Sequence, residues 1–181
     1  KVRDWQMNRL STDFMLHRGG MSWNNIEADL YQGRLNGALN IRTTEPPQLE
    51  VTQQLEHIDM LAWLGDSFDY QRLSGAGTAL INLRAQGYNR SEWQRSLNGE
   101  LKLMVDNGHL QGLDMRTLGQ NGQAVNGQQT PVLFDAAAHT PFRRLTSDIT
   151  FTDGVAQTRF LDLQATTVNA SGNGKVDFQK N

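Results

Sequence analysis

The chain has 181 residues with 17 basic and 19 acidic side chains and a formal net charge of −2, so no strong field is present to gather nucleic acid or an anionic membrane surface. It contains no cysteine, which excludes disulfides, thiolate catalysis and cysteine-ligated zinc or iron–sulfur sites together. Hydrophobic residues are 38% and aromatics 8%, with 17 glycines, a balance that suits a turn-rich β protein with one polar sheet face.

Taken in order, residues 10 to 41 read as strands joined by glycine turns. Phe14 and Leu16, then Ile26, Ala28 and Leu30, then Leu35, Leu39 and Ile41 follow strand spacing, with turns at Gly19-Gly20 and Gly33. Glu45-Pro46-Pro47 breaks the run, because proline has no N–H for a ladder and restrains its neighbour, and Leu49, Val51 and Leu55 open a new strand. Gln53 and Gln54, or one of them, face outward. The spacing predicts a short helix over 58–65, with Asp59 as N-cap and Gly65 as its stop.

The stretch from Leu73 to Met115 carries two strand patterns with one short helix between them. Ala79, Ile81, Leu83 and Ala85 share a face opposite Thr78, Asn82 and Arg84, and Leu80 breaks the alternation. Over 91–97, Trp93 and Leu97 stand four apart on a helix too short to persist alone, so both are expected to pack against the sheet. Leu101, Leu103 and Val105 then alternate with Lys102 and Asp106, and Asp106-Asn107-Gly108 suggests a chain reversal. A third short helix is expected over 112–118 and a flexible polar loop over 119–140. Leu145, Ser147, Ile149 and Phe151 against Thr146, Asp148, Thr150 and Thr152 form the cleanest alternation, and Asp153-Gly154 marks a hairpin. Weaker strands cover 155–163, 165–170 and 175–178. The fold class is mainly β: an antiparallel twisted sheet, or a β-groove or meander, with a few short helices.

No catalytic or metal spacing is found. The histidines at 17, 57, 109 and 139 have no paired-ligand spacing, and no G-x-S-x-G elbow exposes a nucleophile. Gly75-Ala76-Gly77 lacks the third glycine of a dinucleotide fingerprint, and Gly172-Asn173-Gly174-Lys175 lacks the first glycine and the hydroxyl of a phosphate loop, so both read as turns. The tryptophans at 5, 23, 63 and 93 are better explained by core packing than by a stacking surface. No catalytic, cofactor-binding or metal residue is expected, nor any cofactor or enzymatic activity. No apolar run approaches the roughly 20 residues of a spanning helix, and the opening KVRDWQMNRL lacks the apolar centre of a signal peptide. Because the chain opens mid-pattern without a methionine, it reads as a fragment of a longer protein, and any anchor is expected to lie outside it.

The order LSGAGTALINLRAQG, short helix, SLNGELKLMVDNGHLQGLDM, then TPFRRLTSDITFTDGVAQTRFLDLQATTVNASGNGKVDF, preceded by IEADLYQGRLNGALNIR and LEHIDMLAWLGD, resembles the AsmA-like family of bacterial envelope proteins. The resemblance spans about residues 22 to 179 and rests on the order of its motifs rather than on any one of them. It implies a single C-terminal β domain over 1–181, with possible sub-parts 1–72 and 73–181, belonging to a periplasmic protein attached to the inner membrane by a segment absent here. It further implies a role in outer-membrane biogenesis through transport of phospholipid or another envelope lipid along an apolar β-groove. The alternative is an interaction module that pairs its strand edges with a periplasmic or outer-membrane protein. Ile81, Leu83, Leu101, Leu103, Ile149 and Phe151 are the candidate apolar lining, and the sequence leaves open whether they close a core or line a cleft.

Overall fold

The structure is a computed structural model that describes residues 7–113, 134–165 and 169–177. Nine strands form one antiparallel sheet in chain order: β1 (Met7–His17), β2 (Gly20–Leu30), β3 (Gly33–Arg42), β4 (Gln48–Asp59), β5 (Leu73–Gln86), β6 (Asn98–Leu113), β7 (Phe134–Thr152), β8 (Val155–Ala165) and β9 (Asn169–Asp177). Helix α1 (Met60–Phe68) joins β4 to β5, and α2 (Arg90–Arg95) joins β5 to β6. The sheet is open, with β1 and β9 as its edges. Each strand pairs with its chain neighbours, which keeps the loop-closure cost of every pairing small.

Two hairpins show why the chain turns where it does. Asp153 and Gly154 both take positive φ, 46° and 75°, the pair of values whose twist matches the flanking strands. Tyr31 and Gln32 do the same between β2 and β3, at 46° and 65°, although a bulky residue there is disfavoured. Packing offsets that cost. Tyr31 is 1% exposed, its hydroxyl donates to Asp66 Oδ2 at 3.0 Å, and its carbonyl accepts from Asp59 N at 2.8 Å. Tyr31→Phe, which removes only the hydroxyl, is expected to cost about 1 kcal/mol in a denaturant melt, against about 3–5 kcal/mol for Tyr31→Ala.

α1 makes the core. Asp59 caps it, Oδ1 accepting from Leu61 N at 3.0 Å and Ala62 N at 3.3 Å. The helix passes through Gly65 to Phe68, three residues beyond the expected stop, and is capped by Asp69, whose φ of 57° is left-handed. Two apolar clusters meet beneath it. One gathers Met60, Leu73, Val105, Phe142, Leu163 and Ala165, and the other Ala28, Leu30, Tyr31, Leu55, Ile58 and Ala79. Trp63 packs against both. Gly77 is the seat: a Cβ there would collide with Met60 Sδ, so the missing side chain lets the helix approach β5.

Several sequence expectations are corrected. Gly75-Ala76-Gly77 and Gly172-Asn173-Gly174-Lys175, read as turns, lie inside β5 and β9. Asp106-Asn107-Gly108 does not reverse the chain. β6 runs through it, with Asn107 at φ 52° and a register shift against β5 between Ser74 and Ala76, so the left-handed residue serves a bulge instead of a hairpin. Residues 112–113 belong to β6 and 134–140 to β7 rather than to a helix and a loop. The rest of both expectations lies outside the described residues. Trp93 is not buried either. It is 40% exposed, and its Nε1 donates to Gly87 O at 2.7 Å, so it braces the loop before α2 while Leu97 is half-buried. Trp93→Ala is accordingly expected to cost about 1–2 kcal/mol, below the roughly 3–5 kcal/mol of a buried aromatic, measured by urea denaturation.

Candidate functional site

The pairing register places residues from all nine strands in rows across the sheet. One row reads Phe14, Trp23, Leu39, Val51, Leu83, Gly99, Phe151, Ala156 and Val176. It carries one residue per strand and no polar side chain. A parallel row reads Leu10, Ala28, Leu35, Leu55, Ala79, Leu103, Ser147, Leu161 and Gly172. Between them lies Ile26, Gly37, Gln53, Ile81, Leu101, Ile149, Thr158 and Gly174. These rows share the face that α1 packs on, since Ala79, Ile81 and Leu103 all join its clusters.

α1 covers only part of that face. Among the described residues its backbone lies nearest β5 and β4, its Met60 reaches Val105, Phe142 and Leu163, and the fully buried side chains Ile58, Met60 and Val105 all belong to its clusters. Away from the helix the face is half-covered by its own side chains. The first row ends in the open at both sheet edges, with Phe14 at 53% and Val176 at 51% exposure. Phe14 and Trp23 stack at the β1 edge with ring centroids 5.2 Å apart, an arrangement that holds Phe14 in line with the row.

All six residues proposed as lining lie on this face and are half-buried. Ile81, Leu101 and Leu103 pack against the clusters under α1, whereas Leu83, Ile149 and Phe151 lie beyond them. Sequence reasoning missed the other side chains of the first row, Phe14, Trp23, Leu39, Val51, Ala156 and Val176. Each shows the period-two signal within its own strand, but only the register joins them.

The opposite face is polar. Glu50 bridges Arg42 at 3.2 Å and Arg84 at 3.3 Å, and Arg9 pairs with Asp29 at 3.4 Å. Arg144 meets Asp106 at 2.7 Å; the hydrogen bond it donates to the Asp106 carboxylate, and then that carboxylate's charge, raise the guanidinium pKa above its ordinary value. Arginine stays protonated across the accessible range. Exposed pairs of this kind contribute little to stability. Among the described residues no group of three or more His, Asp or Glu side chains is placed to hold a metal.

One apolar face of an open single-layer sheet, partly roofed by one helix, defines a protein with a long apolar surface rather than an enclosed pocket. The chain belongs to the AsmA family, whose model matches residues 1–161. No curated protein and no solved structure matches it. Membership supports a function related to the bacterial envelope, and the family is not known as enzymatic.

Proposed function

We propose that this domain binds phospholipid along the apolar face, on the periplasmic side of the envelope, and takes part in lipid transport between the inner and outer membranes without catalysing a reaction. The observation that carries this reading is the uninterrupted apolar row from Phe14 to Val176, exposed at both ends. Nine strands spaced by about 4.8 Å give it a length of roughly 38 Å, longer than the roughly 30 Å of a bilayer's whole hydrocarbon core. An acyl chain lying along it gains about 0.8 kcal/mol for each CH₂ removed from water. The polar face and its ion pairs stay in solvent, so lipid is held from one side. Native mass spectrometry of the protein extracted from envelope membranes tests the reading: bound phospholipid supports it, and lipid-free protein under conditions that retain lipid on a known carrier contradicts it.

A second reading is favoured by β1. All eleven of its residues are exposed, and Leu10, Phe14 and Leu16 stand out on the apolar face at 59%, 53% and 73%. A long edge with apolar alternation and no proline is a template for another strand. In this reading an envelope or outer-membrane protein pairs with β1 and prolongs the sheet. Phe14→Lys is expected to weaken such pairing while leaving the melting temperature within a few degrees, because the site is already half in solvent. Crosslinking to protein from a reactive residue at position 10 that survives this substitution would count against it.

A further inference from the structure

Three polar side chains interrupt the central rows of the apolar face: Gln53, Ser147 and Thr158. Ser147 is 5% exposed, sealed by its neighbours, and Thr158 stands at the irregular register between β8 and β9. Gln53 differs from both. It is half-buried and lies in the row of Ile26, Gly37, Ile81, Leu101, Ile149 and Thr158, and the residues on either side of it, Gly37 and Ile81, carry no polar side chain. Among the described residues no group hydrogen-bonds its side-chain amide. Gln54, one residue on and facing the polar side, does have a partner: its Nε2 donates to Glu56 Oε1 at 2.7 Å. Gly37 gives Gln53 its space, since a Cβ at that position would lie 2.9 Å from Gln53 Cγ.

Water satisfies the Gln53 amide while the face is uncovered. An acyl chain laid across it removes that water, and an unpaired amide in an apolar contact disfavours the bound state. The penalty falls if the ligand brings its own acceptor to one of the amide's N–H groups. We propose that Gln53 is a specificity-determining contact of the apolar face, its side-chain N–H donating to the ester carbonyl oxygen of an acyl-ester lipid lying along the row. This rests on the lipid-binding reading and adds to it the chemical class selected: acyl esters over ligands of equal hydrocarbon content without the carbonyl.

Dioleoyl phosphatidylethanolamine and its dialkyl ether analogue, which lacks both carbonyls, are compared as competitors of a pyrene-labelled phospholipid bound to the protein. The wild type is expected to prefer the diacyl lipid by about three- to tenfold, the span of one net hydrogen bond. Gln53→Leu completes the row in apolar form and is expected to erase that preference without weakening the ether lipid. Gln53→Met, a closer match in shape, repeats the test should the leucine variant fold poorly. Equal competition by the two lipids in the wild type, or a preference that persists in both variants, overturns the role of Gln53 while leaving lipid binding intact. Failure of the wild type to bind the pyrene lipid at all overturns the lipid-binding reading, and this contact with it.

Discussion

Gly77→Val is expected to lower stability by about 3 kcal/mol or more and to release α1 from the sheet. The added branches enter the space held by Met60, which is 2% exposed and has no free volume to move into. Met60→Ala removes the same contact from the other side, at an expected cost of about 2–5 kcal/mol. The two substitutions act on one packing element, so their effects should not add: once the helix is undocked, the second change has little left to lose. Urea melts of the two single variants and the double variant measure this directly. Losses that sum independently would show that the helix does not hold the core through this contact. The magnitude is large because α1 roofs both apolar clusters, and a single-layer sheet has no second layer to bury Val105 or Ile58 without it.

The second large effect is functional. Leu83→Asp and Phe151→Asp place charge in the uninterrupted row outside the helix clusters. Both sites are half-buried, so the carboxylate stays hydrated in the free protein and the fold is expected to survive at a cost of about 1–2 kcal/mol. An acyl chain cannot cover that carboxylate without desolvating it, and lipid occupancy is expected to fall at least tenfold. Val105→Asp is the contrasting case. At 0% exposure the same charge has no water to reach and should unfold the domain. Lipid occupancy by native mass spectrometry and secondary structure by circular dichroism separate the two outcomes in one set of proteins. Leu83→Asp that unfolds as Val105→Asp does would place Leu83 in a closed core.

Much of the fold was legible because local signals agreed with the tertiary result. The alternation from Leu145 to Thr152 lies within β7, Asp153-Gly154 turns as its residue types require, and Asp59 caps α1 through two backbone N–H groups. The misreadings arose where one residue type serves two geometries. Asn107 at positive φ fits a bulge as well as a hairpin, and the choice lay with β5 and β7 on either side. Gly65 ends many helices, but here the turn continues to Asp69. Trp93 was expected in the core because a short helix needs packing, yet its support is a hydrogen bond to Gly87 and the caps of α2.

The apolar face was half legible. Single strands announced Ile81, Leu83, Leu101, Leu103, Ile149 and Phe151, but the row that joins Leu83 and Phe151 to Trp23 and Val176 depends on register. Register shifts near Thr12, between Trp23 and Ile26, and between Leu55 and Ile58 change which residues share a face, and no single strand encodes those shifts. Gln53 shows the same limit. Alternation assigns Gln53 and Gln54 to opposite faces, and the pairing Gln53↔Ile81 decides which of them points inward.

Photo-crosslinking in cells shows which face meets lipid, with the reactive residue placed at Leu83 and Phe151 on the apolar face and at Leu80 and Thr150 on the polar face. Leu80 is an apolar side chain in its own right, 42% exposed on the wrong side of the sheet, so it controls for greasiness alone. Phospholipid adducts are expected at 83 and 151 and none at 80 and 150. Adducts distributed equally over both faces, or folded protein with no lipid adduct at any of the four positions, would contradict lipid binding along the apolar face.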